Sequence, residues 1–177
     1  MRAFLGLTSS VLIASAAVLT GPTAGAVPAR PSASAPASFE AAGAAAVDVA
    51  ARPTPAQRYA RSAHRTTNAR RADHDLPALR RDACLTKYAV AQAKRMADEQ
   101  EMYHQDLHVV LEACNLTYAG ENVAYGYATG RSVVNQGWMR SEGHRENILR
   151  PQYRLMALGA ARGADGRWYS AQVFGRR

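Results

Sequence analysis

The sequence predicts an α+β fold in which helices cover a small, mainly antiparallel sheet. Two observations support this class. In the first half of the folded region, apolar residues recur at the spacing of one helix face. Near the carboxyl end, two runs typical of strands, 153–161 and 167–174, flank Ala164-Asp165-Gly166. An Asp-Gly turn between two such runs indicates a β-hairpin.

Two long helices are predicted first. Thr54-Pro55 is typical of a helix start, because the hydroxyl caps the first turn and proline suits the first helical position. We expect this helix to end at Leu76-Pro77, since the residue before proline avoids the helical region. Asp82 can cap the second helix. Its apolar face consists of Leu85, Tyr88, Ala89, Ala93, Met96 and Ala97.

Shorter elements follow. The sequence predicts a third helix from Asp106 to Ala113, with Leu107, Val110 and Leu111 facing inward. The loosely alternating segment 120–127 is flanked by glycines and predicts a short strand. We expect Ser132 to cap a further helix that contains Gly137. Glycine costs that helix about 1 kcal/mol relative to alanine, so packing must compensate.

The first 56 residues are expected to lie outside the domain. Residues 1–26 combine a basic start, an apolar middle and Ala24-Gly25-Ala26, which is typical of a secretory signal peptide. A retained membrane anchor is the alternative, but hydroxyl residues dilute the apolar stretch. Residues 27–56, rich in Ala, Pro and Ser, are interpreted as a disordered linker or a pro-segment. The domain then covers 57–177, contains no transmembrane segment, and is expected to be secreted and extracellular.

The chain has two cysteines, Cys84 and Cys114. Two are too few for a disulfide-dense miniprotein or a four-cysteine zinc site. In the oxidising environment that export implies, two cysteines usually pair, so we expect a Cys84–Cys114 disulfide. The alternatives are two free thiols, or one cysteine that acts as a nucleophile.

The composition is basic, with 22 Lys and Arg against 14 Asp and Glu and a formal net charge of +8. No recognised nucleic-acid motif accompanies this charge, so we expect no specific nucleic-acid partner. For an exported protein, an anionic cell-wall polymer or membrane lipid is the better expectation. The predicted solvated basic face contains Arg58, Arg61, His64, Arg65, Arg70, Arg71, His74, Arg80 and Arg81.

Three separated residues form the candidate site: His104, Glu121 and His144. Glu121 begins the predicted strand and precedes apolar residues. Its carboxylate is therefore expected to be partly buried beside an imidazole or a metal ion. His104 and His108 have the i, i+4 spacing that metal sites favour on helices, but the predicted cap at Asp106 places a helix boundary between them. Sequence spacing alone cannot bring the three residues together.

Five segments, in this order, resemble the CAP family of cysteine-rich secretory, antigen-five and pathogenesis-related type-one proteins, in its secreted bacterial branch. They are residues 67–79, the second helix ending before Met102–Gln105, and residues 120–126, 138–149 and 168–175. The resemblance covers the whole predicted domain. It implies a three-layer α-β-α sandwich with an open cleft. In the family, two histidines and acidic residues line that cleft and can hold zinc or another divalent cation.

By motif, His104, Glu121 and His144 match the family's cleft residues. Animal and plant members have a second cleft glutamate between the first histidine and residues 120–122. The chain departs from this pattern, and Glu112 is the nearest candidate for that glutamate. Glu142 stands where many bacterial relatives carry proline and adds an acid at the cleft rim. These two acids and His108 are weaker candidate ligands. We expect hydrogen bonds that connect loops from three side chains: Asn122, Arg145 and Asn147.

Three functions follow from this sequence. The first is a binding module that holds a divalent metal, a lipid or a cell-envelope component in the cleft. The second is a metal-assisted, peptidase-like hydrolase with Glu121 or Glu142 as base. The third is a basic surface that binds an anionic polymer. The sequence offers neither a firm third metal ligand nor an activated nucleophile, so it favours binding over catalysis. We expect no nucleotide cofactor, and we expect a monomer.

Overall fold

A computed structural model describes residues 52–177. The predicted signal peptide and residues 27–51 of the predicted linker lie outside the described residues. In chain order the helices and strands are α1 (Pro55–Ala72), β1 (Arg80–Arg81), α2 (Ala83–Glu99), α3 (Leu107–Ala113), β2 (Tyr118–Tyr125), α4 (Gly130–Ser132), α5 (Glu142–Leu149), β3 (Leu155–Arg162) and β4 (Trp168–Arg176). A π-helical turn at Val133–Gly137 and a 3-10 turn at Trp138–Arg140 connect α4 to α5.

The four strands form one sheet in the order β1-β3-β4-β2. Strand β4 pairs antiparallel with both β2 and β3, while the short β1 pairs parallel with β3. The α+β class and the Asp-Gly hairpin are therefore confirmed. Strand β1 was not predicted, because two exposed arginines carry no strand pattern.

The sheet lies between two helical layers, which confirms the sandwich. On one face, α1 and the α4–α5 region pack against the sheet around Ala63, Trp138 and Phe174. On the other face, α2 and α3 cover it around Leu85, Met96 and Val110. Among residues 52–177, no helix combines the length and the apolar character needed to cross a membrane.

Three of the predicted helix starts are confirmed. Thr54 forms a capping box with Gln57, Asp82 accepts a hydrogen bond from the Leu85 N–H, and Asp106 caps α3. The Cys84–Cys114 disulfide is also confirmed, and it joins the start of α2 to the end of α3.

Two predicted helix boundaries are wrong. Helix α1 ends at Ala72 rather than Leu76, because the chain turns away through Asp75, whose φ is +56°. Thr129, not Ser132, caps α4, and Ser132 completes the capping box from inside the helix. The packing expected at Gly137 is present, since the Tyr127 ring lies against this position and leaves no room for a Cβ.

The predicted solvated basic face is wrong at two positions. Arg71 is fully buried, and its guanidinium donates to the carbonyl oxygens of Pro77, Ile148 and Arg150 at 2.7–3.0 Å. It therefore ties the end of α1 to the end of α5. His64 is half-buried, and its Nε2 has no hydrogen-bond partner among residues 52–177.

Gly159 sets the distance between the sheet and α2. A Cβ at this position would overlap the backbone of α2 at Ala89 and Val90. Only glycine lets the helix lie this close to β3. Because the obstacle is backbone rather than a flexible side chain, no local rotation can relieve the overlap.

We expect Gly159→Ala to lower the free energy of unfolding by about 3 kcal/mol, since α2 would have to move away from the sheet. Gly143→Ala is the matched control, because an added Cβ there meets nothing within 4 Å. Alanine at that exposed helical position should raise the free energy of unfolding by up to about 1 kcal/mol. Urea denaturation measures both, and equal midpoints for the two variants would contradict the packing argument.

Candidate functional site

Glu121 lies on β2, the strand at one edge of the sheet. Its side chain is completely inaccessible to solvent. Side chains alternate between the two faces of a strand, so Glu121 lies on the same face as Val123, which packs beneath α2. A carboxylate buried in this way needs polar partners, and the chain between α2 and α3 supplies them.

The connection from α2 to α3 is fixed at both ends. Gln100 adopts a left-handed conformation, with φ +55°, and ends α2. The buried Gln92 then donates to the Tyr103 carbonyl oxygen at 2.6 Å. At the other end, the Asp106 carboxylate accepts from the His108 N–H at 2.8 Å. These bonds place His104 over the edge of β2.

Three hydrogen bonds join this connection to Glu121. The His104 Nδ1 lies 2.9 Å from Oε2, and the Gln105 N–H donates to the same oxygen at 3.2 Å. The Gln105 side-chain amide donates to Oε1 at 2.5 Å. Both carboxylate oxygens are therefore engaged. The hydrogen bond to Glu121 raises the pKa of His104, and the carboxylate charge adds to this, while partial burial acts against it.

His144 approaches the same strand from the opposite face. It lies on α5, and the Asn122 side-chain amide donates to its backbone carbonyl at 3.1 Å. Burial lowers the pKa of His144, and the charge of His104 lowers it further. The two histidines therefore come from different layers of the sandwich, and each contacts a residue of β2.

Asn122 belongs to a buried network of amide side chains. It donates to Gln172 Oε1 at 3.1 Å and accepts from Asn147 Nδ2 at 3.0 Å. Gln172 in turn donates to the Thr67 hydroxyl on α1 at 2.8 Å. Asn147 also donates to the Glu121 carbonyl oxygen at 3.2 Å. Strand β2 is thereby connected to α5, to β4 and to α1.

The weaker candidate ligands lie on exposed helix surfaces. His108 and Glu112 are exposed on α3, and Glu142 is exposed at the start of α5. His104 precedes α3, so His104 and His108 do not share a helix face. Within residues 52–177, no group of three or more His, Cys, Asp or Glu side chains is arranged to hold a metal ion.

A groove of about 510 Å³ lies beside His144 along the outer edge of β2. The buried Trp138 forms part of its wall, and the indole N–H donates to the Val123 carbonyl oxygen at 3.2 Å. The groove therefore combines one imidazole with a largely apolar lining. Its other residues include Met102, Val123, Ala124, Tyr125 and Tyr127.

Sequence reasoning missed two glutamines that organise the site. Gln105 holds both Glu121 oxygens, and Gln92 fixes the backbone next to His104. The position of Gln105 directly after His104 is the signal that could have identified it. Gln92 lies on the apolar face of α2, where nothing in the sequence distinguishes a polar anchor from an exposed residue.

Comparison with known proteins places these features in one family. The family model described as the cysteine-rich secretory protein family, CAP, matches residues 64–174. The uncharacterized protein YkwD of Bacillus subtilis is 34% identical over 114 residues, which cover 60% of this chain and 44% of that protein.

Two solved structures are similar in fold. An extracellular protein with an SCP domain from Bacillus anthracis aligns with a TM-score of 0.61 at 28% identity, covering 72% of this chain and 45% of that one. A cysteine-rich secretory protein from Staphylococcus aureus aligns with a TM-score of 0.59 at 23% identity, covering 71% and 41%. The chain spans less than half the length of YkwD and of each of these two proteins.

We expect Glu121→Gln to lower the pKa of His104, because the substitution removes the carboxylate charge that favours the imidazolium. A pKa that folding raises stabilises the fold below the unfolded-state pKa. That contribution disappears as the pH rises through the folded-state pKa. The variant should lose this component of stability.

Imidazole proton NMR titration measures the pKa of His104 directly. Glu112→Gln is the matched control, since it removes the same charge from an exposed position on α3. The control should leave the His104 titration unchanged. A His104 pKa that is the same in Glu121→Gln and in the unmodified protein would show that the pair is electrostatically unimportant.

Proposed function

This chain belongs to the CAP family of cysteine-rich secretory proteins, and from that premise we propose that its cleft binds a divalent cation such as zinc through His104 and His144. One observation carries the proposal: a buried carboxylate engages Nδ1 of His104, while Nε2 has no hydrogen-bond partner within residues 52–177. Metal-binding histidines commonly donate their other ring nitrogen to a carboxylate, which fixes the ring and its tautomer.

The donor set suits such a cation. Neither His104 Nε2 nor the ring of His144 takes part in a hydrogen bond among residues 52–177. Imidazole nitrogen is a preferred ligand for zinc. Both histidines contact β2, His104 through Glu121 and His144 through Asn122, which supports a shared site at the edge of this strand.

Glu121 has a different role in this proposal from the direct ligand expected from sequence. Its two oxygens already accept hydrogen bonds from His104 and Gln105. We assign it the orientation of His104 instead. Two imidazoles leave positions on the cation for water or for a group of the bound molecule. The cation would supply a Lewis acid at the mouth of the groove.

The groove beside His144 supports a ligand with an apolar part. Tyr125, Tyr127 and Trp138 contribute aromatic surface, and the imidazole stands among them. An anionic group of the ligand would face the cation while its apolar part lies along β2. A lipid or another cell-envelope component has this combination. Secretion, which would bring the protein to the envelope, is part of the proposal.

The burial and hydrogen bonding of Glu121, the expected base, favour binding over metal-assisted hydrolysis. Glu121 is buried and hydrogen-bonded through both oxygens, so it is poorly placed to accept a proton from water. Glu142 is exposed at the start of α5. We therefore propose a binding module rather than an enzyme.

Zinc titration by isothermal calorimetry tests the proposed cation site. The unmodified protein should bind one equivalent, and His104→Ala together with His144→Ala should abolish binding. Glu121→Gln should weaken binding by about 10- to 100-fold, the effect typical of losing a partner that orients a ligand. His108→Ala is the control, since this histidine is exposed on α3 and should leave the affinity unchanged.

Two outcomes would reject the proposal. Stoichiometric zinc in the double variant would place the metal elsewhere in the chain. The absence of zinc binding by the unmodified protein, at a pH where both imidazoles are neutral, would return His104 and His144 to a structural role.

A further inference from the structure

A second groove lies at the opposite edge of the sheet, along β3. Strand β1 pairs only with Leu155 and Met156, and no other strand within residues 52–177 covers the rest of this edge. Helices α1 and α2 stand on either side. Between them is a slot of about 340 Å³, whose floor is residues 158–160 of β3. We call this space the β3 slot.

The backbone of β3 presents unpaired polar groups to the β3 slot. In an antiparallel ladder, every second residue exchanges hydrogen bonds with the neighbouring strand. Gly163 donates to the Arg167 carbonyl oxygen, and the register then assigns Gly159 and Ala161 to the ladder with β4. The N–H and C=O groups of Leu158 and Ala160 therefore point the other way, into the slot.

These four groups have no hydrogen-bond partner within residues 52–177. Leu158 and Ala160 are nonetheless buried, with 6% and 8% of their surface exposed. Buried backbone groups are almost always paired, because leaving them without a partner costs free energy. They alternate donor and acceptor at the spacing of a strand. An extended polypeptide is the molecule that matches this pattern.

The β3 slot is also positively charged. Arg61 of α1 and Arg81 of β1 both line it. Neither takes part in an ion pair within the part of the chain that the structure describes. His64 does not line the slot, but the charge of Arg81 reaches it: burial lowers the pKa of His64, and the charges of Arg81 and Arg65 lower it further. The local field therefore favours an anion.

We propose that the β3 slot binds an extended acidic segment of another polypeptide by strand addition. The segment pairs with the N–H and C=O groups of Leu158 and Ala160, and its carboxylates face Arg61 and Arg81. Main-chain hydrogen bonds supply affinity in this mode, and side chains supply selectivity. An acyl chain would leave all four backbone groups unpaired, and a polyanion without N–H groups would leave both carbonyls unpaired.

This proposal is independent of the proposed cation site. The β3 slot lies on the β1–β3 side of the sheet, and His104 and His144 lie near the edge strand on the opposite side, β2. A failure of zinc binding would leave the peptide prediction unchanged. A failure of peptide binding would leave the proposed cation site unchanged.

The test uses a fluorescent seven-residue peptide of alternating glutamate and valine, with blocked ends, and the full chain. Fluorescence anisotropy at low salt should show saturable binding, and lysine in place of glutamate should abolish it. Two isomers of the peptide carry N-methyl groups on alternate residues, in opposite phase. Strand addition exposes only every second N–H to β3, so one isomer should lose affinity by about tenfold and the other should retain it.

Protein variants test the charged part of the β3 slot. Arg61→Gln with Arg81→Gln should weaken binding of the glutamate peptide by about tenfold. Arg131→Gln with Arg140→Gln is the control, since it removes equal charge from exposed positions outside the slot. It should leave the affinity unchanged, and thermal unfolding should show that both double variants are folded.

Several results would overturn the proposal. Equal binding of the two N-methyl isomers would exclude strand addition. Equal losses of peptide affinity in the two double variants would show that binding depends on the net charge of the protein and not on the slot. Binding of phosphatidylglycerol vesicles, with loss in Arg61→Gln plus Arg81→Gln and no binding of the glutamate peptide, would identify a lipid surface instead of a polypeptide.

Discussion

The candidate site depends on the buried amide of Asn122. This side chain has no exposed surface, and it contacts Gln172 of β4 together with Asn147 and the His144 carbonyl of α5. Gln172 extends the network to Thr67 of α1. A fully paired network in a low-dielectric interior permits few alternative arrangements, because each lost bond leaves a buried polar group unsatisfied. It thereby fixes α5 against the edge of β2.

The two sides of the sheet differ in how their open backbone groups are covered. At β2, side chains cover the open carbonyl groups: Asn147 donates to that of Glu121 and Trp138 to that of Val123. At β3, the corresponding groups of Leu158 and Ala160 lie in a slot between α1 and α2. An uncovered edge invites pairing with another chain. The same sandwich thus offers a groove with imidazoles at one edge and a positively charged slot at the other.

Much of the fold could be predicted because its signals are local. Thr54 and Asp82 cap helices through atoms within three residues, and Asp165-Gly166 turns between two adjacent strands. The burial of Arg71 could not be predicted. Its three carbonyl partners belong to the turn after α1 and to the end of α5, and only tertiary packing brings them together. Without that knowledge, arginine on a basic helix is expected in solvent.

For the candidate site, the sequence by itself determined which residues carry chemistry: a carboxylate at the start of a buried strand, and histidines in segments that resemble one family. Only the tertiary structure decided their relationships. His104 comes from the α2–α3 side of the sheet, where its ring pairs with Glu121 of β2. His144 comes from the α1–α5 side, where its backbone carbonyl oxygen accepts from Asn122 of β2. Glu121 is a hydrogen-bond partner of His104 through one oxygen, and the Gln105 side chain occupies the other. Such contacts depend on packing between layers, which no local pattern in the chain encodes.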